Sequence, residues 1–364
     1  MKRIFSLILV LMAVQMMWAA VHSYEVISSL AEGKGTLDEI VTKINELPEK
    51  DEAVITFSVK DTIHAEDVQF VIRRVVSIKG GTSDVIIKSK GFVFPDTIVK
   101  EISNVKFIGE DNKSQALLCY ASINKIVDCV FVGYDRGILL TGSNIAVDLI
   151  QNCTFECNEG IYGSGKTNVI DRCVFKNCKT GILLPSSYGS SNGPAIKAIT
   201  NCKFNNCLTC INVFSESIEK ISGCKSDGGV FDLHSIRVLS FDNNSLMGDV
   251  NFYSSVDDLK NCYFGATLRT YNVNIKTISE TSVVGKIDMT SGGEISDLRN
   301  SNVKSGIYGS AGSIKRMFKD TISNLDGSGI QIGNISLIDS CLIHDCKTGI
   351  ETTNIDTIRS SKIY

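Results

Sequence analysis

Short apolar runs of three to five residues recur along residues 101–364, divided by polar residues and too short for helices. One unit repeats as apolar-x-x-Cys-x-apolar: IQNCTF around Cys153, IDRCVF around Cys173, ITNCKF around Cys202, LKNCYF around Cys262 and IDSCLI around Cys341. Cys129 and Cys224 extend the series, and weaker copies place Asn244, Thr281, Ser301, Thr321 and Ser361 at the cysteine position. Successive copies are 18 to 29 residues apart and mostly 20. A second unit lies between them: GILL at 137–140 and 181–184, GIY at 160–162 and 306–308, GIQI at 329–332 and GIE at 349–351. Each reads as a short strand entered through a glycine turn.

A coil of this length cannot bury its own apolar side chains except against coils above and below, about 4.8 Å away. A helical repeat needs thirty or more residues. The pattern therefore predicts an all-β chain, a right-handed parallel β-helix of stacked coils of about 20 residues over 101–364. Stacking places the cysteine column and the Ile and Phe columns inside. Leucine-rich repeats have a similar period but need a leucine consensus that is absent. Residues 24–100 read as an N-terminal cap and irregular first coils, with strands at Val54–Val59, Val68–Ile72, Val75–Ile78 and Val85–Ile87. Within them GTLDEIVTKINE reads as a short amphipathic helix, with Thr36 as N-cap, Glu39 three residues on, and Leu37, Ile40, Val41 and Ile44 on one face.

The NCTF, RCVF, NCKF and NCYF units resemble the pectin-lyase-like superfamily, whose right-handed β-helices carry stacked Asn, Ser, Thr or Cys ladders. The helix resembles the one that caps the N-terminal end of many such rods. The resemblance spans nearly the whole chain after residue 23 and is specific for fold, not for function.

Residues 1–23 carry two positive charges, an apolar run from Ile4 to about Ala20, and Val21 and Ser23 at the −3 and −1 positions of a cleavage site. That is the pattern of a signal peptide. The expected destination is secretion, the extracellular space or the cell surface, with the periplasm as the other compartment, and no membrane span after removal of the leader. A formal charge of −3 with no basic run beyond the N-terminus argues against a nucleic-acid partner. The thirteen cysteines suit two states, buried free thiols or inter-coil disulfides. If bridges form, Cys173–Cys202 and Cys178–Cys207 are the expected pairs.

Alternation within the Gly-Ile strands turns one column outward: Leu139, Tyr162, Leu183, Asn212, Asp232, Asn251, Arg269, Asp288, Tyr308, Gln331 and Glu351. Its middle is the candidate catalytic centre, with Arg269, Asp288, Asp232 and His234. Asn251, Tyr253 and Tyr271 beside it, and Tyr188 on the loop 185–194, are the candidate substrate contacts. In polysaccharide lyases that the chain resembles, calcium or a base neutralises the uronate carboxylate while Arg or Lys abstracts a proton. The resemblance therefore implies a lyase or epimerase acting on a uronate-containing glycan, with calcium as its cofactor. The glycoside hydrolases of that fold rely on closely placed aspartates. Here Asp257-Asp258 is the sole adjacent pair and falls off the column, and Asp232 lies three coils from Asp288, about 14 Å by strand spacing. The column also fits a solvated sheet face on which charges pair weakly. That reading predicts a non-catalytic exported binding or structural module, with no cofactor and a polysaccharide or cell-surface glycan as partner. His22, His64 and His344 are too dispersed to form a metal site.

Overall fold

The computed structural model describes residues 19–81, 85–110, 112–142, 144–185 and 196–364. Successive coils each supply a strand to three parallel sheets, which run the length of a right-handed rod. Sheet A begins at Phe70–Val71 and contains the Gly-Ile strands, such as Arg136–Leu140 and Thr180–Leu184. Sheet B begins at Val21–Val26, and sheet C at Ile63–Ala65. Among the described residues coil stacking starts at Val21, where His22 and Ser23 already pair with Ala53 and Val54.

The helix Leu37–Asn45 forms as its capping residues dictate. The Thr36 hydroxyl accepts from Glu39 N at 3.3 Å, and the Glu39 carboxylate accepts from Gly35 N at 2.5 Å. Leu37, Ile40, Val41 and Ile44 are buried. Asn45 then donates to Val71 O and accepts from Arg73 N, both at 2.8 Å, tying the helix to the first strand of sheet A.

The recurrent cysteine occupies the inner corner between sheets B and C. It follows a residue in the left-handed region, which is Asn at 152, 201, 243, 261 and 300. Asn tolerates that conformation better than other residues with a Cβ, which accounts for the NC dipeptide of the repeat. At the corner several cysteines reach a carbonyl of the preceding coil, Cys153 to Ile126, Cys173 to Ile150 and Cys224 to Ile199, all with Sγ to oxygen at 3.7 Å. Asn244 Nδ2 makes the same bond to Ile221 at 3.1 Å, while Thr281 and Ser301 donate to the carbonyl two residues before them. The position thus asks for a small side chain carrying a donor. All thirteen cysteines are free, twelve buried and Cys346 half-buried. Cys173 and Cys202, like Cys178 and Cys207, lie on adjacent coils but are not bridged.

Two readings of the repeat are corrected. The residue in line with Ser301 is Asp320, not Thr321, which pairs with Asn302 on the sheet C strand that follows. The Ser301 amide donates to Asp320 Oδ1 at 2.8 Å. Lys319 fills the left-handed turn position whose commonest residue is Asn, so the unit there lacks its marker. Second, Gly137, Gly160 and Gly181 do not serve a positive φ. A Cβ on each would meet the ring of Phe155, Phe175 or Phe204 at 2.7–2.9 Å. These glycines let the phenylalanine column of sheet C press against sheet A. Its rings, Phe107, Phe131, Phe155, Phe175 and Phe204, stack with centroids 4.9–5.2 Å apart.

Glu280 occupies one of the left-handed corners at φ 52°. Glu280→Asn is expected to stabilise the rod by about 1 kcal/mol, read as a higher denaturation midpoint, because Asn visits this region routinely. An unchanged or lower midpoint would show that the corner is not strained.

Candidate functional site

Pairing from strand to strand runs Leu139, Tyr162, Leu183, Asn212, Asp232, Asn251, Arg269, Asp288, Tyr308, Gln331 and Glu351, the column read from alternation. Asp232, Asn251, Arg269 and Asp288 thus sit on four consecutive strands, in line. Asn251 Nδ2 donates to Asp232 Oδ1 at 2.7 Å. Arg269 donates to Asp249 Oδ2 at 2.5 Å, and its Nε lies 3.9 Å from Asp288 Oδ2. Asp288 is buried, accepts from the Thr290 hydroxyl at 2.7 Å and pairs with Lys286 at 2.9 Å.

These contacts decide the protonation states. The hydrogen bond to Asp249 raises the Arg269 pKa above its already high value, so the guanidinium holds its proton. Burial opposes ionisation of Asp288, but hydrogen bonds from Thr290 and Lys286 outweigh it and hold the carboxyl below its ordinary range. A general base needs a pKa near the working pH and a free lone pair. Arg269 has neither. Asp232 and Asp288 are separated by Asn251 and Arg269, so the two carboxylates do not converge on one point. Among the described residues, no group of three or more His, Cys, Asp or Glu is placed to hold a metal ion.

Two positions along the same strands lies a second column, of rings. Phe214, His234, Tyr253 and Tyr271 stack face to face with centroids 4.0–4.2 Å apart and planes within 13° of parallel. Both faces of His234 and of Tyr253 are covered by neighbouring rings, and solvent meets their edges. Burial in this stack lowers the His234 pKa, and burial together with Tyr271 pushes that of Tyr253 up to about 12. Burial thus disfavours the charged form of both rings. Sugar rings stack on aromatic faces, and the inner members of this column offer none. Tyr188 lies outside the described residues.

Asp249, Lys286, Thr290 and Phe214 belong to this surface and were missed in the sequence. Phe214 was within reach, because it stands two residues after Asn212, as His234 does after Asp232. Asp249 stands two residues before Asn251 and obeys the same rule. Lys286 was not marked, since strand pairing alone does not say which way a long side chain turns.

Fold and surface together define a right-handed parallel β-solenoid carrying a polar and an aromatic ladder on one sheet. No protein-family model matches the chain, and neither a curated protein nor a solved structure matches it. Among the described residues no helix is long and apolar enough to cross a membrane.

Proposed function

We propose that the protein is an exported, non-catalytic β-solenoid of the pectin-lyase-like kind, serving as a surface or extracellular binding and structural module. One observation carries this reading: the charged side chains in the middle of sheet A are each bonded to a neighbouring side chain. Arg269 is committed to Asp249, and Asp288 to Lys286 and Thr290. Such an arrangement fastens coils together and leaves neither Arg269 nor Asp288 poised as an acid or base.

The competing reading is a lyase or epimerase acting on a uronate glycan, with Arg269 as base and calcium as cofactor. Incubation with pectate, alginate and glycosaminoglycans, with and without calcium, separates the two. The scaffold reading expects no ultraviolet absorbance from an unsaturated product under any condition. Product formation that is lost in Arg269→Ala, with the fold intact, would establish the lyase. The scaffold reading also expects Arg269→Ala to lower the denaturation midpoint, because Asp249 and Asp288 lose their shared cation.

Export is tested at the amino terminus. The secreted protein is expected to begin at Tyr24, as mass spectrometry of the intact chain would report. Cleavage there would leave only Tyr24–Val26 of the strand Val21–Val26, and retention of Met1 would refute processing.

A further inference from the structure

Away from sheet A, the C-terminal third of sheet B holds a groove of about 500 Å³. Its walls carry Lys260, Arg299, Arg316 and Arg359, and Phe318 and Leu337 contribute its apolar lining. Pairing runs Lys260, Ser279, Arg299, Phe318, Asp339 and Arg359 on six consecutive strands, with Arg316 on the Phe318 strand. The cations therefore extend over five strand intervals, about 24 Å.

The carboxylates among these arginines lie beneath them. Asp297 and Asp339 have side chains only 16% and 14% exposed, whereas Arg299, Arg316 and Arg359 are 46%, 50% and 62% exposed. Arg316 gives its Nε and one terminal nitrogen to Asp297, at 2.7 and 2.8 Å. Arg359 gives its Nε to Asp339 at 2.9 Å. The Arg316 and Arg359 guanidinium groups are thus held in place from below, and Arg299 lies 3.6 Å from Asp297. Glu280, the other acidic residue of the lining, lies 3.9 Å from Lys260.

We infer that this groove binds a linear acidic polysaccharide, one bearing carboxylates or sulfate esters along its chain. Planar guanidinium forks match both groups in a bidentate manner. Anchored arginines lose little conformational freedom on binding. An extended hexose chain advances by roughly one strand spacing per residue, so its anions can meet cations spaced in multiples of about 4.8 Å. Phe318 and Leu337 suit the C–H faces of such a chain. The inference extends the binding-module reading to a second surface and is judged separately, since sheet A is tested by turnover and the groove by binding.

The test uses the whole exported protein with size-defined heparin and polygalacturonate oligosaccharides, titrated at low and at physiological salt. At least one is expected to bind, more weakly as salt rises. Arg299→Gln combined with Arg316→Gln is expected to weaken binding by about tenfold or more. Arg237→Gln is the control: Arg237 is a half-exposed sheet B arginine bound in the same two-pronged way to Asp257, but it lies outside the groove. It is expected to change nothing. Should the double variant not fold, arginine-selective labelling of the unmodified protein gives the same answer: the oligosaccharide should protect Arg299, Arg316 and Arg359 but not Arg237. Failure of both probes to bind, equal protection of Arg237, or groove-dependent binding of a single-stranded oligonucleotide at the same affinity would each overturn the inference.

Discussion

Phe155→Ala is expected to destabilise the rod by about 3–5 kcal/mol, the upper range for emptying a packed aromatic site. Phe155 is fully buried, with ring centroids 4.9 Å from Phe131 and 5.0 Å from Phe175. Collapse into the space is blocked on two sides. The neighbouring rings belong to strands held by the sheet C ladder, and the facing residue on sheet A is Gly137, which has no side chain to offer. The chain shows what filling such a gap requires. Where Ser226 replaces phenylalanine in the column, Phe231 of sheet A enters instead, edge-on to Phe204 at 5.4 Å and 79°. Urea denaturation of the variant beside the unmodified protein measures the loss. Because solenoid coils can unfold in segments, the transition should be followed by two probes. A cost near 1 kcal/mol would mean that the coils close on the void.

The second large effect concerns Asp320, a buried acid among neutral ladder residues. Burial pushes its pKa up to about 7, despite amide donors from Ser301 at 2.8 Å and Phe318 at 2.9 Å. In the unfolded chain the same carboxyl titrates near 3.9. Between these values the folded state retains a proton that the unfolded state has released, so stability falls as pH rises from about 4 to about 7 and stays lowered above. At full extent the penalty is about 4 kcal/mol, from three pH units at 1.36 kcal/mol each. Asp320→Asn removes the titration and places at this corner the side chain that Asn244 already supplies in another coil. Variant and parent should melt at similar temperatures near pH 4, and the variant at the higher temperature at pH 8. A difference that does not change with pH would show that the carboxyl titrates normally. Comparing the two proteins isolates this group from carboxylates such as Asp171 and Glu294, which are held below their ordinary values and weaken the fold in acid instead.

The columns were legible in the sequence because a solenoid copies chain spacing into space. Cys153, Cys173 and Cys202 share one flanking motif and so share a corner, and alternation alone ordered Asp232, Asn251, Arg269 and Asp288 along sheet A. The helix followed from Thr36, Glu39 and its apolar face. Reading failed where a marker was missing: Lys319 in place of Asn shifted the ladder residue by one, and a neutral corner was expected where Asp320 stands.

Period, alternation and capping are local, and they determined the coil, the inside and outside of each strand, and the closed N-terminal end. Two things needed the folded chain. One is the fate of each charge, because Arg269 meets Asp249 and Arg316 meets Asp297 on neighbouring coils through long side chains whose direction no spacing specifies. The other is the groove of sheet B. Its cations are dispersed through a chain of net charge −3 and become one surface only when coils bring Lys260, Arg299, Arg316 and Arg359 within a few strand spacings of one another.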